Sequence, residues 1–494
     1  MKRVFFIALL LIPIFILVTF KPLLGQQWTE PVNISNLGGY SMEPDMIIDN
    51  KGVIHVVWDN WIGLGHWLIM YSCSNDDGAT WSEPLDLLQN TDYWMAQPHI
   101  ACNSNNKLYV VYTHDYNGHT TEGTVIKMIN HDGLNWGQPF IISKDMPSSH
   151  YGCIVFDHND RAYVFWDYEL THDDYYTYLE NNTWKEPYCP YPGGAEIYAL
   201  EEAAVDKDNS LHWIGASKGN TYPGQERLQY YYYNNLQNCW YPPVMPVKDT
   251  IHVGRDIALS NNETLESTYR KKSTISVGET SDSTMLIKKE GDLWGQPILV
   301  SGTDKRQVGQ QIVIDQNNDV HIVETEYYVS SSLETELVHY YNNRGKWIQQ
   351  RIDYSDNLCN YPKLIFAKNK IYVVYWWHNG KPTAGHIRFS KYDIITDIKE
   401  ESKQTPELKI YPNPGSGIIS IEFENNSRQL VDLAVYDING KLVSVLTHKM
   451  LSPGMQRFVW DAHSTTGQKV KPGTYLVKLT AGDNTATQVV EIVK

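Results

Sequence analysis

The octet 74-SNDDGATW-81 has the form Ser-x-Asp-x-Gly-x-Thr-Trp, and each fixed position has a mechanical task. An aspartate at 76 can accept hydrogen bonds from the amides that follow it, which closes a tight turn. Gly78 supplies a backbone angle that a residue with a Cβ resists, and Trp81 offers a large ring to bury between neighbouring layers. Nothing in the octet looks like a nucleophile. It reads as a structural turn carried by Ser74, Asp76, Gly78, Thr80 and Trp81.

The tryptophan that ends this turn recurs along the chain with a proline or polar turn behind it. WTEP at Trp28, WSEP at Trp81, WGQP at Trp136 and WKEP at Trp184 are followed by WYPP at Trp240, WGQP at Trp294 and WIQQ at Trp347, at intervals of 53, 55, 48, 56, 54 and 53 residues. A second element interleaves with the first: DNKGVIHVVW from Asp49, NSNNKLYVVY from Asn103, DHNDRAYVFW from Asp157 and DKDNSLHWIG from Asp206. SNNETLESTY from Ser260, DQNNDVHIVE from Asp315 and AKNKIYVVY from Ala367 continue it. Each copy is a polar tight turn followed by an alternating strand. A unit of about fifty residues with four short strands cannot bury both faces alone and needs neighbours in a ring.

The octet resembles the Asp box of the sialidase-like β-propellers, where it marks the turn between the third and fourth strands of a blade. The expected fold is all-β: a seven-bladed propeller over 27–394, then a linker at 395–405 and a small Ig-like β-sandwich at 406–494. The first tryptophan motif has no hairpin before it and the last hairpin has no tryptophan motif after it. Strand 28–35 is therefore expected to complete the blade begun at 359–391, which ties the ends of the ring together and removes an exposed edge.

The tail changes character at 408-LKIYPNPGSGIISIEF-423 and runs through the Asn-Gly hairpin of 435-VYDINGKLV-443 and 467-GQKVKPGTYLVKL-479. These motifs and their terminal position resemble the C-terminal sorting domain of type IX secretion cargo; a fibronectin-like carbohydrate-binding module is the alternative. At the other end, Lys2 and Arg3 precede an apolar run from Val4 to Phe20, which reads as a secretory signal peptide at 1–25. A membrane anchor is the alternative there, and no later run is long enough to span. The resemblance implies a protein that is secreted or held at the outer surface, with the type IX machinery as a partner and no transmembrane segment in the mature chain.

Of the net charge of −16, the first 25 residues carry +3 and residues 405–494 carry +1, which leaves −20 on 26–404. So acidic a body makes nucleic acid an unfavourable partner. Cys73, Cys102, Cys153, Cys189, Cys239 and Cys359 show no metal-ligand spacing, and mostly buried thiols are expected. Turns such as 157-DHNDR-161 and 315-DQNND-319 could attract a cation, but tight turns favour the same residues without one, so neither a metal nor a cofactor is assigned.

In a propeller blade the first strand starts and the second ends on one face, so side chains there rim the central funnel, while the Asp-box turn lies on the opposite face. Alignment of the hairpins places His99, His114, His150, Tyr151, Asp167, Glu201 and Glu202 on this rim as candidate catalytic residues. Asp59, Trp61, Arg255, Arg270, Glu326, Tyr327 and His378 join them as candidate substrate-binding residues. Histidine with tyrosine suits a polysaccharide lyase, and paired carboxylates suit a glycoside hydrolase. Sialidase resemblance would require an arginine triad, for which only Arg255, Arg270 and Arg306 are available, and no sialidase catalytic residue is carried over. The expected partner is an extracellular polysaccharide or glycoconjugate. A binding propeller without catalysis is the alternative, with Trp61, Trp67, Tyr93, Trp94, Trp376 and Trp377 as stacking platforms. The ligand is expected on the face of the strand-two to strand-three loops, 59–67, 114–123 and 167–176.

Overall fold

The computed structural model describes residues 27–394 and 408–494, apart from 64, 90–94, 116–122, 172, 193–195, 198–202, 219–225, 249–250, 277–278, 303–304, 329–333, 344, 382–384, 426–428 and 482–483. The signal peptide, the linker, Tyr93, Trp94, Glu201 and Glu202 lie outside the described residues. Every regular element among the described residues is a strand, and no helix there is long and apolar enough to cross a membrane.

The strand pairs are made by turns that satisfy their own backbone. Asp49 Oδ1 accepts the amides of Lys51 and Val53 at 2.9 and 2.8 Å, and Asp157 Oδ1 does the same for Asn159 and Arg161. Asn103, Asp206 and Asp315 repeat the pattern. The fourth residue of these turns adopts a left-handed backbone; at Asn106, Asp160, Asn209 and Asn318 its side chain also grips the preceding turn, whereas in the first turn the position is Gly52. Asn106 accepts the Asn50 amide, Asp160 that of Ser104, Asn209 that of His158 and Asn318 that of Asn261. The carboxylates and amides that looked free to meet a cation are thus engaged with backbone amides.

Each turn joins the first two strands of an antiparallel meander. Tyr40–Ile48, Ile54–Gly63, His66–Ser74 and Leu85–Asp86 pair in order. Met95–Cys102, Leu108–Asp115, Thr124–His131 and Phe140–Ile141 do the same, as do Ser149–Phe156, Ala162–Tyr168, Asp173–Glu180 and Thr183–Trp184. Further along come Lys305–Ile314, Val320–Tyr328, Thr335–Asn343 and Lys346–Ser355. Such sheets of four strands are those of propeller blades.

The apolar clusters lie between consecutive sheets. Val57 and Ile69 pack with Met95, Ile100 and Val110 of the next sheet, and Val323 and Leu337 with Leu364 and Val373. Tyr372, Val374 and Phe389 near the end of the larger unit pack with Met46 and Val56 near its start, so the series returns on itself. Trp58, Trp166 and Tyr375 occupy corresponding places and are fully buried; burying such a side chain contributes about 1.5–3 kcal/mol. Val32–Asn33 adds antiparallel to Gly385–Asp393, with Val32 opposite Phe389, as expected for a closing strand. Trp28 reinforces the closure by donating Nε1–H to His339 Nδ1 at 3.2 Å.

The Asp box behaves as its chemistry requires. Asp76 accepts the Thr80 amide at 2.8 Å and its hydroxyl at 2.6 Å, Gly78 has φ of 80°, and Trp81 meets Phe389 edge-on with ring centroids 5.0 Å apart. Asp77 adds an anchor that the motif did not announce: it pairs with Lys370 and Lys391 and accepts the Tyr372 hydroxyl, which bolts the turn to the last sheet.

The chain divides into two compact units, 1–394 and 395–494. In the second, Lys409–Tyr411, Ile419–Asn425 and Gly454–Trp460 form one sheet. Gln429–Asp437, Leu442–Leu451, Gly473–Ala481 and Asn484–Ile492 form another, and both contribute to one apolar core around Trp460. All six cysteines are free; contrary to expectation only Cys153 and Cys359 are buried, and Cys239 is exposed.

Candidate functional site

The first strands of successive sheets share one irregularity. Their pairing with the second strand slips between Met42 and Asp45, Ala96 and His99, His150 and Cys153, Val308 and Gln311, and Asn360 and Lys363. Within each slip sits a residue with positive φ: Glu43 at 48°, Gln97 at 56°, Tyr151 at 56°, Gly309 at 62° and Tyr361 at 49°. A side-chain-bearing residue in this conformation costs about 1–3 kcal/mol, and bulges that carry one cluster where a side chain must be re-aimed.

The bulge residues act on strand-two residues and on one another. Glu43 and Asp59 share a hydrogen bond. The Gln97 amide approaches Asp59 Oδ2 at 3.5 Å, and Thr113 donates its hydroxyl to Gln97 Oε1 at 3.1 Å. Tyr151 and Tyr361 are each 42% exposed. Tyr361 lies 6.0 Å from Trp376, ring to ring. Burial, with the charge of Glu43 next in weight, raises both phenols, that of Tyr361 to about 12. Tyr361 also feels Tyr327, Asp59 and Tyr151. Glu43, Asp59, Gln97, Tyr151, Tyr327 and Tyr361 therefore converge on one place, although they come from different hairpins.

Its centre is the carboxyl pair. Burial pushes Glu43 up to about 7, against the opposing pull of its bond to Asp59. Asp59, fully buried, is held well above the ordinary carboxylate range by burial and then by the charge of Glu43. One proton is thus retained between the two carboxyls near neutral pH.

Beside Tyr151 stands a second group. Asp167, opposite His150 in the strand pair, is pushed up to about 7 by burial and then by Glu169 and Asp173. His150 Nε2 lies 3.0 Å from the Thr124 hydroxyl and 3.2 Å from Glu169. Burial lowers its pKa, partly offset by Glu169 and Asp115.

The other expected residues are placed differently. His99 is pushed down to about 4 by burial; its Nδ1 accepts the Ile154 amide at 3.4 Å and lies 3.5 Å from Asp45, so the ring bridges adjacent first strands. His114 is buried with its ring against Tyr112. Arg270 is buried, donating to the Gln307 carbonyl and lying 3.7 Å from Asp282. Glu326 is buried and accepts from Tyr340 and Gln349. His378 Nδ1 accepts the Gly380 amide while Nε2 donates to the Lys381 carbonyl. Trp61 is half-buried and pairs across its hairpin with Trp67. Arg255 lies on Ile251–Leu259, where its side chain is not described. Loop 59–67 is not a loop: strands continue to Gly63 and resume at His66, because the paired tryptophans extend the ladder.

Glu43, Gln97 and Tyr361 were not singled out for chemistry from the sequence. A signal for them exists, since each precedes a proline in a strand, Pro44, Pro98 and Pro362, and Tyr151 precedes Gly152. Proline cannot donate to the ladder, which marks a bulge there.

Residues 409–493 match the family described as the secretion system C-terminal sorting domain. The chain is accordingly addressed through the type IX system to the cell surface or the extracellular space. No curated protein matches the chain. Among solved structures, it is similar to a polysaccharide lyase, PL25-ulvanlyase bound to -[GlcA(1-4)Rha3S]-, at 10% identity and TM-score 0.53, over 73% of this chain and 95% of that one. It is also similar to a fungal alcohol oxidase of the AA5 family in complex with copper, at 11% identity and TM-score 0.50, over 95% and 100%. Trypanosoma rangeli sialidase with the inhibitor DANA matches at 10% identity and TM-score 0.43, over 94% and 89%. At such identities the likeness concerns fold, and the fold is propeller-like.

Proposed function

We propose that the protein is an exported propeller that acts on an extracellular glycan by carboxyl acid–base chemistry of the glycoside hydrolase type. The observation that carries this reading is the proton-sharing pair of Glu43 and Asp59 beside two exposed tyrosines. An acid that keeps its proton near neutrality can give it to a glycosidic oxygen as the C–O bond breaks. The single proton of the pair leaves in this step, so both carboxyls are ionised until it is returned. Water then adds its hydroxyl to the anomeric carbon, and its remaining proton restores Glu43. The rings of Tyr151 and Tyr361 offer faces for a sugar. The commitment of His99 Nδ1 to a backbone amide supports hydrolysis over a histidine-based lyase.

The same reading takes 27–394 as seven blades, since the hairpin motif and the shared apolar cores recur at that count, with a linker at 395–405 and an Ig-like sandwich at 406–494. The test is reducing-sugar release from a panel of polysaccharides by the full chain and its E43Q variant, with unsaturated-uronate absorbance read in parallel. Hydrolysis lost in E43Q supports the proposal. Uronate absorbance would point to a lyase, and binding with no release to a non-catalytic surface propeller.

A further inference from the structure

Asp167 is a buried acid in an anionic setting. It is 8% exposed, and its Oδ1 has no hydrogen-bond partner. The charged neighbours that act on it are Glu169 and Asp173, both acidic. Tyr151, in turn, feels the charges of Glu43, Asp167 and Glu169. The exposed ring is therefore near both the carboxyl pair and a second acidic group. His150 touches Glu169, but burial keeps the imidazole neutral, so it does not balance that group.

A buried carboxylate without a partner is costly, and one among like charges more so. A ligand hydroxyl would satisfy Oδ1 yet leave the repulsion with Glu169. A cation answers both. We infer that Asp167, Glu169 and His150, with the ring of Tyr151, form a subsite for a protonated amine carried on a sugar ring, so that the glycan is one containing free amino sugars. The assignment to a sugar rests on the glycan reading of the adjoining carboxyl pair.

The test is calorimetric titration of the full chain, carrying E43Q so that nothing is cleaved, with glucosamine and N-acetylglucosamine oligomers of equal length. The amine form is expected to bind roughly thirtyfold more tightly, the size of effect that follows when one partner of a buried charge pair is removed. Adding D167N and E169Q should erase the preference with the melting temperature preserved. D167N alone keeps the shape of the side chain and removes an unfavourable charge, so it should fold. Equal binding of the two oligomers, or a preference that survives D167N with E169Q, would overturn the inference. So would capture of a lysine-rich peptide with no binding of the amino-sugar oligomer. Cleavage of either oligomer by the unsubstituted chain is scored separately. An amine preference without cleavage removes the hydrolytic reading and leaves the subsite, and cleavage without preference does the reverse.

Discussion

Glu43 should be costly to the fold in proportion to its use. Its carboxyl titrates at about 7, against an ordinary value of 4.5, because burial disfavours its ionised form. When a folded-state pKa lies above the unfolded one, stability is fully present below the unfolded value and falls as pH rises through the folded value. The window here runs from about 4.5 to about 7. At 1.36 kcal/mol for each unit, the penalty above that window is about 3 kcal/mol. Glutamine keeps the shape and cannot ionise, so E43Q should relieve it. With about 2.1 cal/mol/K of unfolding entropy per residue over the roughly 370 residues of the larger unit, that is a rise in melting temperature of about 4 °C. Thermal melts of the two proteins should coincide near pH 4.5 and separate by pH 8, with E43Q the more stable and without glycan cleavage. A variant equally or less stable at pH 8, a gain of the same size at pH 4.5, or retained cleavage would refute the reasoning.

Asp77 should behave in the opposite sense. Despite its partial burial, Lys370, Lys391 and Tyr372 hold it down at about 2, so its contribution is present above the usual value of 3.8 and lost as pH falls toward 2. The difference in melting temperature between the unsubstituted chain and D77N should shrink over that interval, and a constant difference would contradict the anchor. In the Asp box, G78A forces a Cβ to within 2.2 Å of Phe389 at φ of 80° and should cost about 2 kcal/mol in denaturant titration. Asp76→Ala should lower the melting temperature and leave glycan turnover intact; turnover lost from a folded protein would move the site to the wrong face. Deletion of 406–494 should keep the larger unit from reaching the medium, read by immunoblot of the culture supernatant, and unchanged release would contradict the sorting role.

The scaffold was readable because its signals are local. A turn such as 49-DNKG-52 satisfies its own amides, and the Asp box closes within five residues, so neither needs knowledge of distant partners. The site was less so, because it depends on register. Counting from the hairpin assumes that side chains alternate without interruption, and one extra residue in a strand reverses every face beyond it. Glu43 and Tyr361 stand at such an insertion, and strand alternation alone gives no reason to prefer them over Asp45 or Lys363. Asp45 instead accepts the Ile100 amide at 2.7 Å and lies 3.5 Å from Lys363. The partners of Arg270 and Glu326 lie on other strands and other sheets, beyond reach of a motif. The loop expected over 59–67 was mistaken for the same reason, since the pairing of Trp61 with Trp67 is a cross-strand contact.

The bulge also connects the fold to the chemistry. Glu43 with Asp59, Gln97 with Thr113, Tyr151 with Asp167 and Tyr361 with Trp376 are the same two positions in different hairpins. The backbone is held constant by paired strands, so the occupants of the two positions can change without rebuilding the frame. Gly309 takes the first position in another sheet, where it meets the left-handed angle without strain. Glutamate, glutamine and tyrosine at the same angle do carry strain, and nothing in the turn or core chemistry requires them there. On the proposed function, their convergence around one proton-sharing pair supplies the reason and locates the cost of function in the first strands, at the place where the ladder is interrupted.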